Sequence, residues 1–262
     1  MIGRVVATAR AAGRLIEAIR ARGFDVARKE RGDPVTEADH AADALLRAEL
    51  LALERCGWLS EETADDADRL SRRRAWIVDP LDGTREFLRG IPDYTVAVAL
   101  VEDGRPILAV VHVPATDMTY QAERGSGAFS NDERLRVRES SVLLASRSEM
   151  LRGEFAPFSG WDVRPLGSIE HKLALVASGE AGVTLSRGPK WEWDVCAGSL
   201  LVEEAGGRAT DLRGNPLRFN RPDPRAAGIL AGALGAYDRA LARLVEVGPS
   251  DRMGRLGEEP SR

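Results

Sequence analysis

Two aspartates three residues apart, Asp79 and Asp82, close a short apolar run in Trp76-Ile-Val-Asp79-Pro80-Leu81-Asp82-Gly83-Thr84. Carboxylates at the C-terminal end of a strand suit a hard divalent cation, which takes oxygen ligands. The Gly83 and Thr84 amides would open a short helical turn, a ready place for an anion. A metal site beside a phosphate site is what metal-assisted phosphoryl chemistry needs. Alone, the same residues also describe an ordinary loop, since Asp, Pro and Gly form turns.

Three more acidic segments accompany it. Ser60-Glu61-Glu62 follows an apolar run just upstream, Asp33-Pro-Val-Thr-Glu-Ala-Asp39 sets Asp39 early on a helix, and Trp191-Glu-Trp-Asp194 opens another helix. By spacing alone, Glu61 and Glu62 read as solvated charges, and Asp39 and Asp194 as charges favourable near helix N-termini. His40, His112 and His171 lack metal-ligand spacing and read as structural, and Trp191 and Trp193 as core or pocket wall. Only three of the 37 basic residues are lysines, Lys29, Lys172 and Lys190.

The elements that must position these groups follow from hydrophobic periodicity. Residues 3–22 and Thr36 to Leu53 read as amphipathic helices, with Thr36 as N-cap and Asp39 completing a short capping box. Trp76–Val78, Thr95–Val101, Pro106–Val113, Met118–Ala122 and Arg134–Val137 read as strands, the second and third joined as a hairpin through Glu102-Asp103-Gly104. From Val142 strands and helices alternate: strands at 142–145, 163–165, 182–185, 208–210 and 227–231, helical segments at 148–154, 169–177, 195–205 and 236–247. The fold class is therefore α/β, with an α+β first half and an α/β second half. The expected boundary lies near 137–141. It gives an N-terminal region over residues 1–137, a C-terminal region over residues 138–248 and a disordered tail over residues 249–262, which lacks apolar content.

Composition sets outer limits. The 262 residues suffice for a sizeable core, and 37 basic against 41 acidic side chains give a net charge of −4. That balance leaves no footprint for a nucleic-acid polymer. Two cysteines, Cys56 and Cys196, make no disulfide framework and read as small buried hydrophobes of a reducing compartment. With no signal-like segment and no membrane-length apolar run, the expectation is a cytoplasmic protein without membrane contact.

Together DPVTEAD, LSEE, WIVDPLDGT, GSIEHK and WEWDVCAG resemble the inositol monophosphatase superfamily, over about residues 30–232. Within it the chain is most similar to the bacterial 3′(2′),5′-bisphosphate nucleotidases of the CysQ type. The resemblance implies a layered α/β/α/β/α sandwich and phosphomonoester hydrolysis by metal-activated water, with two to three Mg²⁺ ions and sensitivity to lithium. It assigns Glu61, Asp79 and the Leu81 carbonyl to a first ion, Asp79, Asp82 and Asp194 to a second, and Glu61 to a weaker third. Thr84, oriented by Asp39, would position the attacking water, making Asp39, Glu61 and Thr84 the catalytic set. Gly83, Thr84, Gly167 and Ser168 would meet the phosphoryl oxygens.

The stretch before Asp194 is longer than in the family's inositol phosphatases. It has Ser186 and Arg187 where those place a glutamate before the glycine. Lys172, Arg187 and Lys190 would therefore favour a second phosphate. The implied reaction is hydrolysis of 3′-phosphoadenosine 5′-phosphate to AMP and phosphate. The alternatives are an inositol-1-phosphatase, a broad sugar-phosphate phosphatase on the same site, and a non-catalytic module. A small phosphate ester is the expected partner, and a homodimer is possible for this superfamily.

Overall fold

The structure is a computed structural model and describes residues 1–28 and 34–248. Lys29 and Asp33, and the expected tail, lie outside the described residues. Two helices come first, α1 (Ile2–Arg22) and α2 (Glu37–Leu53), separated by the short antiparallel pair β1 (Val26–Arg28) and β2 (Pro34–Thr36). The capping box forms as read: Thr36 Oγ1 accepts from the Ala38 amide, while Asp39 Oδ2 accepts from the Thr36 amide at 2.7 Å. Such a cap is worth about 1 kcal/mol, and here it also fixes where the Asp39 carboxylate points.

A seven-stranded sheet follows in simple chain order: β3 (Gly57–Ser60), β4 (Arg74–Asp82), β5 (Thr95–Glu102), β6 (Arg105–Val113), β7 (Met118–Glu123), β8 (Gly127–Ser130) and β9 (Glu133–Arg134). Only β3 and β4 run parallel; the other neighbours are antiparallel. The β5–β6 hairpin turns at Asp103 and Gly104, both at positive φ (48° and 77°), the turn that matches strand twist.

The second sheet has order β11-β10-β12-β16-β14, built from β10 (Val142–Ala145), β11 (Asp162–Pro165), β12 (Val183–Ser186), β14 (Arg208–Thr210) and β16 (Ile229–Gly232). The strands β13 (Lys190–Trp191) and β15 (Arg225–Ala226) form a separate pair. Between strands lie α3 (Thr84–Leu88), α4 (Arg147–Leu151), α5 (Ile169–Ala177) and α6 (Cys196–Glu204), and α7 (Leu234–Val247) follows the last of them.

Alternation along the strands decides the layering. Val96, Val98 and Leu100 of β5 pack with α1 and α2, whereas Ala97, Ala99 and Val101 join a second core with α5 and α6. That second core also takes Leu144, Ile229 and Ala231 from the other sheet, so α5 and α6 are sandwiched between the sheets. Leu143, Val183, Leu185 and Leu230 face the opposite way, onto Tyr237 and Ala240 of α7. The result is the expected α/β/α/β/α sandwich.

Several strands differ from the sequence reading. The strand expected over Arg134–Val137 shrinks to Glu133–Arg134, because the chain there leaves β8 and crosses to the second sheet, where Val137 N donates to Ala205 O. The short strands β1, β2, β3, β8, β13 and β15 were not foreseen. The β8–β9 connection turns at Asn131-Asp132, both at positive φ, a turn signal present in the sequence.

Candidate active site

The end of β4 explains why two aspartates three residues apart can work together. In a regular strand, odd spacing puts side chains on opposite faces. Here Asp79 pairs with Ala97 and Asp82 with Thr95, so three steps on β4 oppose two on β5. This bulge at Pro80-Leu81 reverses the parity and turns both carboxylates into one cleft. It also accommodates a proline within a central strand.

The cleft, about 300 Å³, gathers Glu61, Asp79, Leu81, Asp82, Gly83, Thr84, Gly167, Ser168, Lys172 and Asp194. The sequence-derived set thus converges, with two exceptions. Asp39 stands behind the wall, its Oδ1 accepting from Thr84 Oγ1 at 3.0 Å. Arg187 does not reach the cleft: its guanidinium donates to the carbonyls of Glu154 and Gly248, tying β12 to the end of α7. A guanidinium held by two main-chain carbonyls on the far side is a structural brace, and this corrects its expected substrate contact.

Gly167 and Ser168 are also corrected in detail. Both line the cleft, but the Gly167 amide donates to Asp93 Oδ2, and the Ser168 hydroxyl donates to Asp82 Oδ2 at 2.6 Å. They orient the carboxylates instead of offering these donors to a phosphoryl group. A side chain on Gly167 would collide with Glu86 at 2.4 Å, so the close approach requires glycine. Ser168 sits at φ 24°, an outlier costing on the order of 1–3 kcal/mol. Its hydroxyl bonds to Asp82, Thr95 and the His171 amide hold it there.

Burial and mutual repulsion dominate the electrostatics. Asp79 is 1% exposed, and burial, then Glu61, Asp82 and Asp194, raise its carboxyl well above the usual range. Burial likewise pushes Asp194 up to about 7, with Lys190 opposing and Asp82 and Glu61 adding. Asp82 is raised by burial against the pull of Ser168, the Glu170 amide, Lys172 and Lys190. Such a cluster is what a bound divalent cation would relieve.

The donor set fits Mg²⁺, being all oxygen. Among the described residues no three His, Cys, Asp or Glu side chains form a ready-made cage. The carboxylates are instead splayed by other partners: Asp79 accepts from Leu81 N, Asp82 from Ser168 and Glu170 N, and Asp194 from Trp191 N. Splayed carboxylates leave room for waters, which Mg²⁺ gives up reluctantly.

Several residues of the site escaped the sequence reading. Asp43 accepts from Ser60 Oγ and Thr63 Oγ1, at 2.5 and 2.7 Å, and thereby sets the turn carrying Glu61. Glu170, fully buried, accepts from the Ala197 and Gly198 amides and locks α5 to the start of α6, next to Asp194. Arg85, Arg89, Arg147, Ser146, Ser148 and Leu151 also line the cleft. Arg147 pairs with Asp93 at 2.5 Å and approaches Glu86 at 3.6 Å. Glu149, buried behind Ser146 and Ser186, stays ionised because Lys190, the two hydroxyls and Lys172 outweigh its burial. The i, i+3 pair Ser146 and Glu149 was a legible N-cap signal for α4.

Trp191 and Trp193 stack at 4.8 Å outside the cleft. His112 packs beneath α1 against Gly13 and bonds Thr119, burial lowering its imidazole to about 4. Cys196 is buried and Cys56 half-buried. No described helix is long and apolar enough to cross a membrane.

The sequence profile of the Inositol monophosphatase family matches residues 2–248. The chain is 39% identical over 210 residues to an inositol-1-monophosphatase of Rhizobium meliloti (strain 1021), covering 73% of this chain and 77% of that protein. It is 32% identical over 235 residues to the 3′(2′),5′-bisphosphate nucleotidase CysQ of Aggregatibacter actinomycetemcomitans, covering 83% and 86%. Among solved structures, the extragenic suppressor protein suhB of Bartonella henselae superposes with a TM-score of 0.81 at 31% identity, covering 92% of this chain and 97% of that one. A carboxylate-lined cleft at a bulged strand end, in a five-layer sandwich with these relatives, places the chain in the inositol monophosphatase family of phosphatases.

Proposed function

We propose that the chain is a Mg²⁺-dependent phosphomonoesterase whose preferred substrate is 3′-phosphoadenosine 5′-phosphate, hydrolysed to AMP and phosphate. The observation that carries the preference is the cationic wall: Arg85, Arg89, Arg147, Lys172 and Lys190 all line the cleft, with Glu86 as the one further carboxylate among the lining residues beside Glu61, Asp79, Asp82 and Asp194. One phosphate bound at the metal side needs fewer cations than this. A second phosphate would use Lys172 and Lys190 through charge-assisted hydrogen bonds.

Glu61, Asp79, Asp82, Asp194 and the Leu81 carbonyl would hold two ions, and Glu61 a weaker third. Bound Mg²⁺ supplies Lewis-acid polarisation of the phosphoryl group and a lowered pKa for its water. Thr84 Oγ1 lies within donating distance of Asp39 Oδ1 at 3.0 Å and of the Leu81 carbonyl at 3.1 Å, and, in the cleft it lines, its lone pairs would accept from a water. Asp39 is itself fixed by two bonds from Thr36, so the hydroxyl is preorganised. The Gly83 and Thr84 amides head α3 beside the same point. Lys172 donates to the Gly167 carbonyl at 2.9 Å and so steadies the loop that carries Ser168.

The same site would also serve an inositol-1-phosphatase or a broad sugar-phosphate phosphatase. The identity to the Rhizobium relative favours that second reading. A panel of 3′-phosphoadenosine 5′-phosphate, inositol 1-phosphate and fructose 1,6-bisphosphate at one Mg²⁺ concentration separates them. The expected result is the highest kcat/KM for the bisphosphate nucleotide. Faster hydrolysis of inositol 1-phosphate would overturn the preference, and no Mg²⁺-dependent turnover of any of the three would overturn the enzyme.

A further inference from the structure

Asp93 stands where three parts of the cleft wall meet, although it does not line the cleft itself. It lies just ahead of β5, and its neighbours fix its backbone. Tyr94 is fully buried, its phenol donating to Glu17 and accepting from Arg20 of α1. Thr95 Oγ1 lies 3.1 Å from Ser168 Oγ. The Asp93 carbonyl runs close to two glycines: a Cβ on Gly83 would stand 2.7 Å from it, and one on Gly167 2.9 Å. The turn that opens α3 and the turn that carries Ser168 therefore close on the same peptide.

The side chain joins two further parts. Asp93 is 8% exposed, and its Oδ2 accepts from the Gly167 amide at 3.2 Å and pairs with Arg147 Nη2 of α4 at 2.5 Å. The first contact matters because Ser168, next in the chain, sits at φ 24° and donates to Asp82 Oδ2 at 2.6 Å. A strained turn persists only where its surroundings over-determine it. Asp93 supplies the main-chain anchor just before Ser168. The second contact matters because it leaves Arg147 with capacity to spare. Arg147 lines the cleft, and its Nη1 lies 3.6 Å from Glu86 Oε1 with no hydrogen-bond partner among the described residues. A guanidinium carries five N–H donors, so Arg147 keeps donors for a ligand while Asp93 sets its place.

We infer that Asp93 is a positioning residue that serves both walls of the cleft. Its carboxylate anchors the Gly167-Ser168 turn that steadies Asp82, and it sets Arg147 to meet a second phosphate on the substrate. The second role rests on the proposed bisphosphate preference; the first holds for any phosphomonoester.

Two substitutions in the full chain separate the roles. Asp93→Asn keeps an oxygen to accept from the Gly167 amide and removes the charge that holds Arg147, whereas Asp93→Ala removes both. The readouts are Mg²⁺ affinity by calorimetry, Tm, and kinetics with 3′-phosphoadenosine 5′-phosphate and inositol 1-phosphate. Asp93→Asn should raise KM for the bisphosphate nucleotide about fivefold, with kcat and Mg²⁺ affinity unchanged. Asp93→Ala should also lower kcat on both substrates and Mg²⁺ affinity, each about tenfold. Arg147→Ala should raise the nucleotide KM as Asp93→Asn does, and the two combined should add nothing further. An Asp93→Ala protein with a lower Tm but unchanged kcat and Mg²⁺ affinity would overturn the anchoring role. An unchanged nucleotide KM in Asp93→Asn, or effects that add in the double variant, would overturn the link to Arg147. Should the unmodified chain show no preference for the bisphosphate nucleotide, the proposed substrate fails, and Mg²⁺ affinity in Asp93→Ala still decides the anchor.

Discussion

The two walls of the cleft are built in opposite ways. The acidic wall comes from one strand end and two adjacent turns, and Asp79, Asp82 and Asp194 are each held by a main-chain amide. The cationic wall is assembled from side chains on or next to α3, α4, α5 and β13. The first is rigid and local, the second composite. In the proposed function, the rigid wall would carry the chemistry and the composite wall the recognition of substrate.

The largest effect that would test this division is loss of Asp79. Asp79→Asn should lower phosphate release by about a thousandfold or more for every substrate, since a neutral amide removes both charge and bridging capacity. A variant retaining near-normal turnover would break the acidic-wall account. Thr84→Ala comes next: kcat should fall about a hundredfold or more, with Mg²⁺ affinity nearly unchanged, because the hydroxyl acts on the attacking water. A rise in KM alone would make Thr84 a substrate contact.

The acidic wall was legible in the sequence for the same reason that it is rigid. Spacing alone singled out Asp79 and Asp82, while Glu61 and Asp194 were assigned by the family resemblance, which the short contiguous motifs DPLDGT, LSEE and WEWD carry. The bulge at Pro80-Leu81 was not legible, although it alone brings Asp79 and Asp82 to one side. Nor were Asp43 and Glu170, whose roles depend on partners 17 to 28 residues away. Arg187 shows the limit on the cationic wall. Its place next to the Gly-Pro turn suggested substrate, but only packing against α7 decides which way it points. The layer order came from the family resemblance, because β5 and β6 are buried on both faces and show no alternation of apolar and polar residues, while the short strands β3 and β8 were too brief to show a period.

A smaller effect sharpens the cationic wall. Burial, then Lys190, lowers the Lys172 ammonium to about 8, so it is charged below that pH and neutral above it. KM for the bisphosphate nucleotide should therefore stay level up to about pH 8 and rise beyond it, while KM for inositol 1-phosphate shows no such step. Matching profiles for both substrates would remove Lys172 from recognition. The smallest effect is expected at Arg187. Arg187→Ala should lower Tm, through two lost bonds to main-chain carbonyls, and leave the substrate preference where it was. A narrowed preference would return Arg187 to the cleft.

The most direct test compares kcat/KM for 3′-phosphoadenosine 5′-phosphate and for inositol 1-phosphate in the unmodified chain and in Lys172→Met, at one Mg²⁺ concentration and neutral pH. The methionine keeps the buried stem and removes the charge together with the bonds to the Leu166 and Gly167 carbonyls. If the two walls divide the work, the bisphosphate value falls about tenfold or more and the inositol 1-phosphate value holds. Equal losses on both substrates would show that Lys172 serves the fold of the Ser168 turn alone, and the division between an acidic wall for chemistry and a cationic wall for recognition would be wrong.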